Sequence, residues 1–188
     1  MSKINLLNSF KEFCKKNKFE INYSQIKVIV ELDKFLNSKK TIFNSIFKKN
    51  NKLCFYLVGS VGVGKTMILN FVYDQLNIKK LRLHFNEFMI NFHDFKHNNA
   101  KEEGNLVSLF VKNLKKKYEL IYLDEFQVTN IVDAMILGKL FEEIFLENIK
   151  IIITTNIKLD DLYKDGLQRE QFLPFIAVIK TNSIQQEL

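Results

Sequence analysis

Tryptophan is absent from the 188 residues, proline occurs once, and glycine only six times. So little proline and glycine excludes a collagenous or low-complexity linker-like chain. The two cysteines, Cys14 and Cys54, lie far apart and lack metal-ligand spacing. They cannot staple a disulfide scaffold, and reduced, structural thiols in a cytoplasmic compartment are expected. No apolar run approaches a membrane span: Leu53 to Gly64, the longest charge-free run near the front, is short and broken by glycines. The opening residues carry Lys3, Lys11, Glu12, Lys15, Lys16 and Lys18 in place of a signal peptide's continuous apolar segment. Glu12 and the lack of arginine there argue against a mitochondrial presequence.

What is abundant is lysine, asparagine, isoleucine and phenylalanine, the bias that an A- and T-rich coding sequence writes. A composition of 47% hydrophobic and 26% charged residues is that of a globular protein with one core of ordinary size. The formal net charge of +7 leaves a real basic excess, which keeps DNA open as a partner. The chain divides into a basic lead-in, residues 1–20, and a core domain, residues 21–188.

Within the core domain, helical spacing of Ile26, Ile29, Val30, Leu32, Phe35 and Leu36 predicts a helix over 24–37. A polar connector, Lys48 to Lys52, follows. Beyond it strands and helices alternate. "LCFYLV" (53–58), "KLRLHF" (80–85), "ELIYLD" (119–124), "IKIIITT" (149–155) and "FIAVIK" (175–180) read as strands. Helices are expected at 65–76, 106–117 and 130–147, whereas 86–104 reads as irregular, with "HNNAKEEG" a loop. This alternation predicts an α/β fold, a five-stranded parallel sheet with helices on both faces. Ligands of such sheets bind beyond the carboxyl ends of the strands.

Three motifs fall at those ends. "GSVGVGKT", Gly59, Ser60, Val61, Gly62, Val63, Gly64, Lys65 and Thr66, fits the phosphate loop G-x-x-x-x-G-K-[ST] between a strand and a helix. Its glycines let backbone N–H groups turn toward an anion, Lys65 brings a point charge to the outer phosphates of ATP, and the Thr66 hydroxyl suits Mg²⁺. In "IYLDEFQVTN", Asp124 and Glu125 end a strand expected to lie beside the phosphate-loop strand. There Asp124 could hold Mg²⁺ through water and Glu125 could activate the attacking water. The alternative is a solvated acidic pair. Asn156, closing "IIITTN", is placed to reach the attacking water or the terminal phosphate, or simply begins a turn. Arg169 and Arg82 are arginines in a lysine-heavy chain, which hints at planar recognition of phosphate or carboxylate. His93 and His97 stand four apart, a metal-pair spacing on a helix, but no third ligand accompanies them. His84 ends a strand.

The order of "GSVGVGKTM", "RLHFNEFM", "LDEFQVTNIVDAMILGKLFEEIF" and "LYKDGLQREQFLPFI" resembles the AFG-like ATPase family, over about residues 22 to 181. The resemblance implies a P-loop, AAA-type ATP-hydrolysing core, and in bacterial members of the ZapE type a role in cell division on FtsZ polymers. It implies that Gly64, Lys65 and Thr66 hold nucleotide and Mg²⁺, that Asp124 organises the metal, that Glu125 is the base, and that Asn156 is a sensor. It makes Arg169 a candidate arginine finger acting on a neighbouring subunit of a homo-oligomer. Asn86 and Asn130 replace the histidine and aspartate usual at those places. Family chains also continue past the position of Leu188 into a lid domain, whose absence here would leave a scaffold with little turnover. A helicase-loader-like ATPase acting on DNA is the other alternative.

Overall fold

The computed structural model describes residues 5–38, 52–101 and 104–188, so most of the predicted connector 48–52 lies outside the described residues, as do Glu102 and Glu103 of the predicted loop. Five strands, β1 (Cys54–Val58), β2 (Lys80–His84), β3 (Leu120–Asp124), β4 (Lys150–Thr155) and β5 (Ser183–Glu187), form one sheet in the order β2-β3-β4-β1-β5. Every pairing is parallel. A strand's side chains alternate between faces, and the central strands bury both. Tyr56, Ile121, Leu123, Ile151 and Ile153 join one apolar cluster, while Phe55, Leu57, Leu120, Tyr122 and Ile152 join another.

The first cluster is covered by α4 (Phe85–Asn98), α5 (Leu106–Lys117), α6 (Ile131–Leu146) and α7 (Leu173–Asn182). The second is covered by α1 (Leu6–Asn17), α2 (Tyr23–Asn37) and α3 (Lys65–Gln75). The basic lead-in therefore contains a helix with a buried face. Leu6, Phe10 and Cys14, at helical spacing, are buried, and the Phe10 and Phe13 rings each lie 5.2 Å from that of Phe71 on α3.

Two segments depart from expectation. "FIAVIK" is not a strand. It lies in α7, where Phe175, Ile176 and Ile179 are buried at helical spacing and Pro174 sits in the first turn, its fixed φ suited to a helix start. A six-residue apolar run satisfies both periods, so the sequence alone could not separate them. The fifth strand is instead "SIQQE", polar and paired only with β1 at the sheet edge. Similarly, 86–98 is helical rather than irregular. Phe85, Phe88, Met89 and Phe92 form a buried stripe at spacings of three and four, diluted in sequence by polar residues on the outer face.

Helices return antiparallel to the strands, so helix C-termini gather where strands begin. Each such end exposes unpaired carbonyls and negative dipole. Lysines at three strand starts, and one in the last turn of α5, meet them. Lys150 Nζ donates to the carbonyls of Phe35 (2.7 Å), Leu36 (3.0 Å) and Ser38 (3.2 Å) at the end of α2. Lys80 caps α3 through the Tyr73 and Leu76 carbonyls, Lys52 reaches the Thr181 carbonyl of α7 at 2.6 Å, and Lys115 that of Asn148, just past α6, at 3.2 Å. Part of the basic excess is thus spent inside the fold. Burial pushes the Lys150 ammonium below its ordinary pKa, and the carbonyls offset that desolvation.

Lys150→Met, which keeps the stem but leaves those carbonyls unpaired, is expected to lower unfolding free energy by about 2 kcal/mol. Lys116→Met, at an exposed lysine of the same end, should change it by less than about 0.5 kcal/mol. Urea denaturation of the three proteins checks both.

Candidate active site

The carboxyl ends of β1, β3 and β4, with the loop after β1 and the end of β2, enclose a cavity of about 760 Å³. The loop begins where β1 stops at Val58. Gly62 (φ 85°) and Gly64 (φ 96°) take left-handed conformations open to glycine, and Gly64 caps the N-terminus of α3 without any side-chain hydrogen bond. The first-turn N–H groups of α3 are therefore left to a ligand. Gly59 is constrained from another side: a Cβ there would come within 2.6 Å of the Leu188 carbonyl oxygen.

Lys65 folds over this loop. Its Nζ donates to the Gly59 carbonyl (2.5 Å), the Ser60 carbonyl (2.7 Å) and Asn156 Oδ1 (2.8 Å). All three acceptors are neutral, and among the described residues the ammonium has no carboxylate partner. Desolvation lowers its pKa. An uncompensated cation beside free helix N–H groups fits a polyanion such as a phosphate chain, and the exposed Thr66 hydroxyl lines the same cavity.

Asp124 does not lie on a strand adjacent to β1, as expected from sequence; β4 stands between them. The two sides of the site are connected through the end of that intervening strand. Thr154 Oγ1 donates to Asp124 Oδ1 at 2.9 Å, Thr155 Oγ1 donates to the Phe126 carbonyl at 2.7 Å, and the Phe126 N–H donates to the Thr154 carbonyl at 2.8 Å. Asn156 then reaches back to Lys65. Three consecutive residues of β4 and its exit thereby tie the acids of β3 to the loop of β1.

Asp124 and Glu125 are neighbours with opposite environments. The Asp124 side chain is 12% exposed, and its Oδ2 accepts from Arg82 Nε at 2.6 Å. That guanidinium also donates to Asn70 Oδ1 on α3 and lies over the Tyr122 ring, 5.6 Å from its centroid. Glu125 adopts a left-handed backbone (φ 53°), which lets Asp124 and Phe126 both turn inward and throws the Glu125 carboxylate outward, 82% exposed, at the cavity rim. His84 Nδ1 lies 3.6 Å from its Oε2. The Tyr122 hydroxyl, buried without a hydrogen-bond partner, has its pKa pushed well up by desolvation and by the Asp124 charge.

The cavity thus gathers Val61, Gly62, Gly64, Lys65, Thr66, Arg82, His84, Asp124, Glu125 and Asn156 of the residues singled out in the sequence, while Gly59, Ser60 and Val63 of the same loop do not line it. Arg169 stands elsewhere, in a 3₁₀ turn, where its guanidinium donates to its own chain's Asp160 carbonyl (2.7 Å) and Leu162 carbonyl (3.3 Å). His93 and His97 do lie one turn apart on α4, but His93 Nε2 is engaged by Asp133 Oδ1 at 2.7 Å. Among the described residues no cluster of three His, Cys, Asp or Glu side chains forms. Sequence reasoning missed Thr154, for which no motif speaks. It also missed Gln25, buried against Gly64, whose capping role at Asn22–Gln25 was readable from the Asn-x-x-Gln spacing.

Compared with known proteins, the chain matches the family model for AFG1-like ATPase over residues 12–185. It is 38% identical over 137 residues to Lactation elevated protein 1 homolog B of Danio rerio, which covers 67% of this chain and 27% of that protein. It is 37% identical over 126 residues to Cell division protein ZapE of Escherichia coli (strain K12), covering 66% and 33%. The chain therefore spans a third or less of the length of these curated relatives. The DnaC helicase loader shares the fold, with a TM-score of 0.58 at 18% identity over 89% of this chain and 92% of that one. The chain belongs to the AFG1-like ATPase family, and its fold is that of a P-loop NTPase.

Arg169 closes the turn over 159–172 through two carbonyls. Its replacement by alanine is expected to speed amide hydrogen exchange in that segment about tenfold, the loss of about 1.4 kcal/mol of local stability. Exchange in β1 and β3 should stay at the wild-type rate, as read by mass spectrometry.

Proposed function

We propose that this member of the AFG1-like ATPase family binds ATP with Mg²⁺ in the cavity above β1, β3 and β4 and hydrolyses its terminal phosphate. The observation that carries this reading is the Lys65 ammonium, which sits over a left-handed glycine loop with neutral partners only. A triphosphate supplies the negative charge that the loop, the α3 N-terminus and Lys65 together accommodate. On binding, Lys65 exchanges the Gly59 and Ser60 carbonyls for phosphate oxygens.

The donor set also suits magnesium: one hydroxyl, Thr66, and one carboxylate, Asp124, both hard oxygen ligands facing the cavity, with room for water. Bound there, Mg²⁺ would neutralise charge on the phosphates. Asp124 is oriented by the Thr154 hydroxyl, and with Thr66 it would help hold the ion. Glu125, exposed at the rim and free of strong pairing, accepts the proton of the attacking water. Asn156, hydrogen-bonded to Lys65, shares one anchor with the phosphate-binding side and one with β4, a position from which its amide can orient that water. Similarity to Cell division protein ZapE supports a place in cell division with a protein client, of which FtsZ polymers are the first to test.

Lys65→Ala is expected to abolish ATP binding. Glu125→Gln should keep binding within about threefold of wild type while phosphate release falls by at least about 100-fold. Equal, negligible release from wild type and Glu125→Gln would sink the hydrolase reading.

A further inference from the structure

Asp124 has a cationic partner already, and it is not a metal. Arg82 pairs with Tyr122 in the β2–β3 register, so Arg82, Tyr122 and Asp124 share one face of the sheet, the face covered by α3. From there the guanidinium lies over the Tyr122 ring, donates to Asn70 on α3 and grips Asp124 Oδ2 through Nε, while Thr154 takes Oδ1. Both oxygens of a nearly buried carboxylate are thus engaged. Yet Arg82 also lines the cavity together with Thr66, Glu87 and Glu125. Its Nη2 makes no hydrogen bond among the described residues. It is one of only two arginines in the chain, and a lysine at this place could not reach Asp124 and Asn70 at once with a planar fork.

We propose that Arg82 is an internal counter-cation that holds the Asp124 carboxylate in the metal-free protein and competes with Mg²⁺ for it. The inference rests on the nucleotide reading above and deepens it. An unpaired carboxylate this deeply buried is unfavourable, so the empty protein needs a cation there. A divalent ion held by the same carboxylate would place a second positive charge beside the guanidinium. Their repulsion works against metal binding. Arg82 therefore sets the magnesium concentration at which the site fills. It acts through Asp124 and is a positioning residue. Asn70 is the part of the clamp that can be removed without touching the carboxylate.

The test is a Mg²⁺ titration of ADP binding by calorimetry, together with ADP binding in EDTA and thermal melting, on the wild-type chain, Arg82→Gln and Asn70→Ala. For Arg82→Gln the expected result is a magnesium midpoint at least about tenfold lower than in wild type, because a like charge on the same carboxylate has been removed. Its melting temperature in EDTA should fall, and adding Mg²⁺ with ADP should raise it by more than in wild type. Its affinity for ADP in EDTA should not improve. Asn70→Ala, an exposed position on α3, should lower the midpoint in the same direction by about threefold, which keeps the inference open to refutation if Arg82→Gln does not fold. An arginine that merely supports the fold would weaken both metal-dependent and metal-free binding. Midpoints unchanged or raised in the folded variants overturn the proposal while leaving the nucleotide reading in place. Wild-type protein whose ADP binding ignores Mg²⁺ overturns both.

Discussion

The site depends on the last turn of one strand. β4 separates the phosphate-loop strand from the strand bearing the acids, and its carboxyl end carries the hydrogen bonds that fix the two sides of the cavity relative to each other. Thr154, Thr155 and Asn156 do this with side-chain bonds to Asp124, the Phe126 carbonyl and Lys65. Hydroxyls and an amide suit this role because they satisfy buried groups on either side without adding charge of their own. The arrangement also explains why Asp124 can be nearly buried: its carboxylate has a threonine donor and a guanidinium, and so avoids the cost of an isolated charge.

At the opposite end of the sheet the constraint is reversed. Helices that begin near the cavity end near the strand starts, and their terminal carbonyls collect there. Lys52, Lys80, Lys115 and Lys150 answer them. The same helix polarity that offers free N–H groups to an anion at one edge therefore requires ammonium groups at the other. These four of the 28 basic residues therefore answer a need of the parallel architecture itself.

Much of this was legible in the chain itself. The buried strands announced themselves as unbroken apolar runs, and the phosphate loop as a motif between a strand and a helix. The five-stranded parallel sheet was expected, although its fifth member was placed on "FIAVIK", a run whose six residues fit a helix equally well. "SIQQE" escaped notice because an edge strand needs only backbone pairing with β1 and offers a single apolar side chain, Ile184. The α4 stripe was hidden by the polar residues between its phenylalanines. Strand order was not legible at all: adjacency of β3 to β1 was a reasonable inference from the function of their ends, and only long-range packing decides it. Arg82 carried a compositional hint of carboxylate recognition, but the identity of its carboxylate required the register of two strands.

Glu125 carries local backbone strain at the rim of the cavity. Its left-handed backbone is a conformation that glycine adopts freely and glutamate at a penalty of about 1 kcal/mol. Glycine there would relieve that strain and would remove the carboxylate from the cavity rim. The same torsion sends the Glu125 carboxylate into solvent while that of Asp124 beside it stays nearly buried, so a single backbone angle sorts two adjacent acids into wet and dry surroundings.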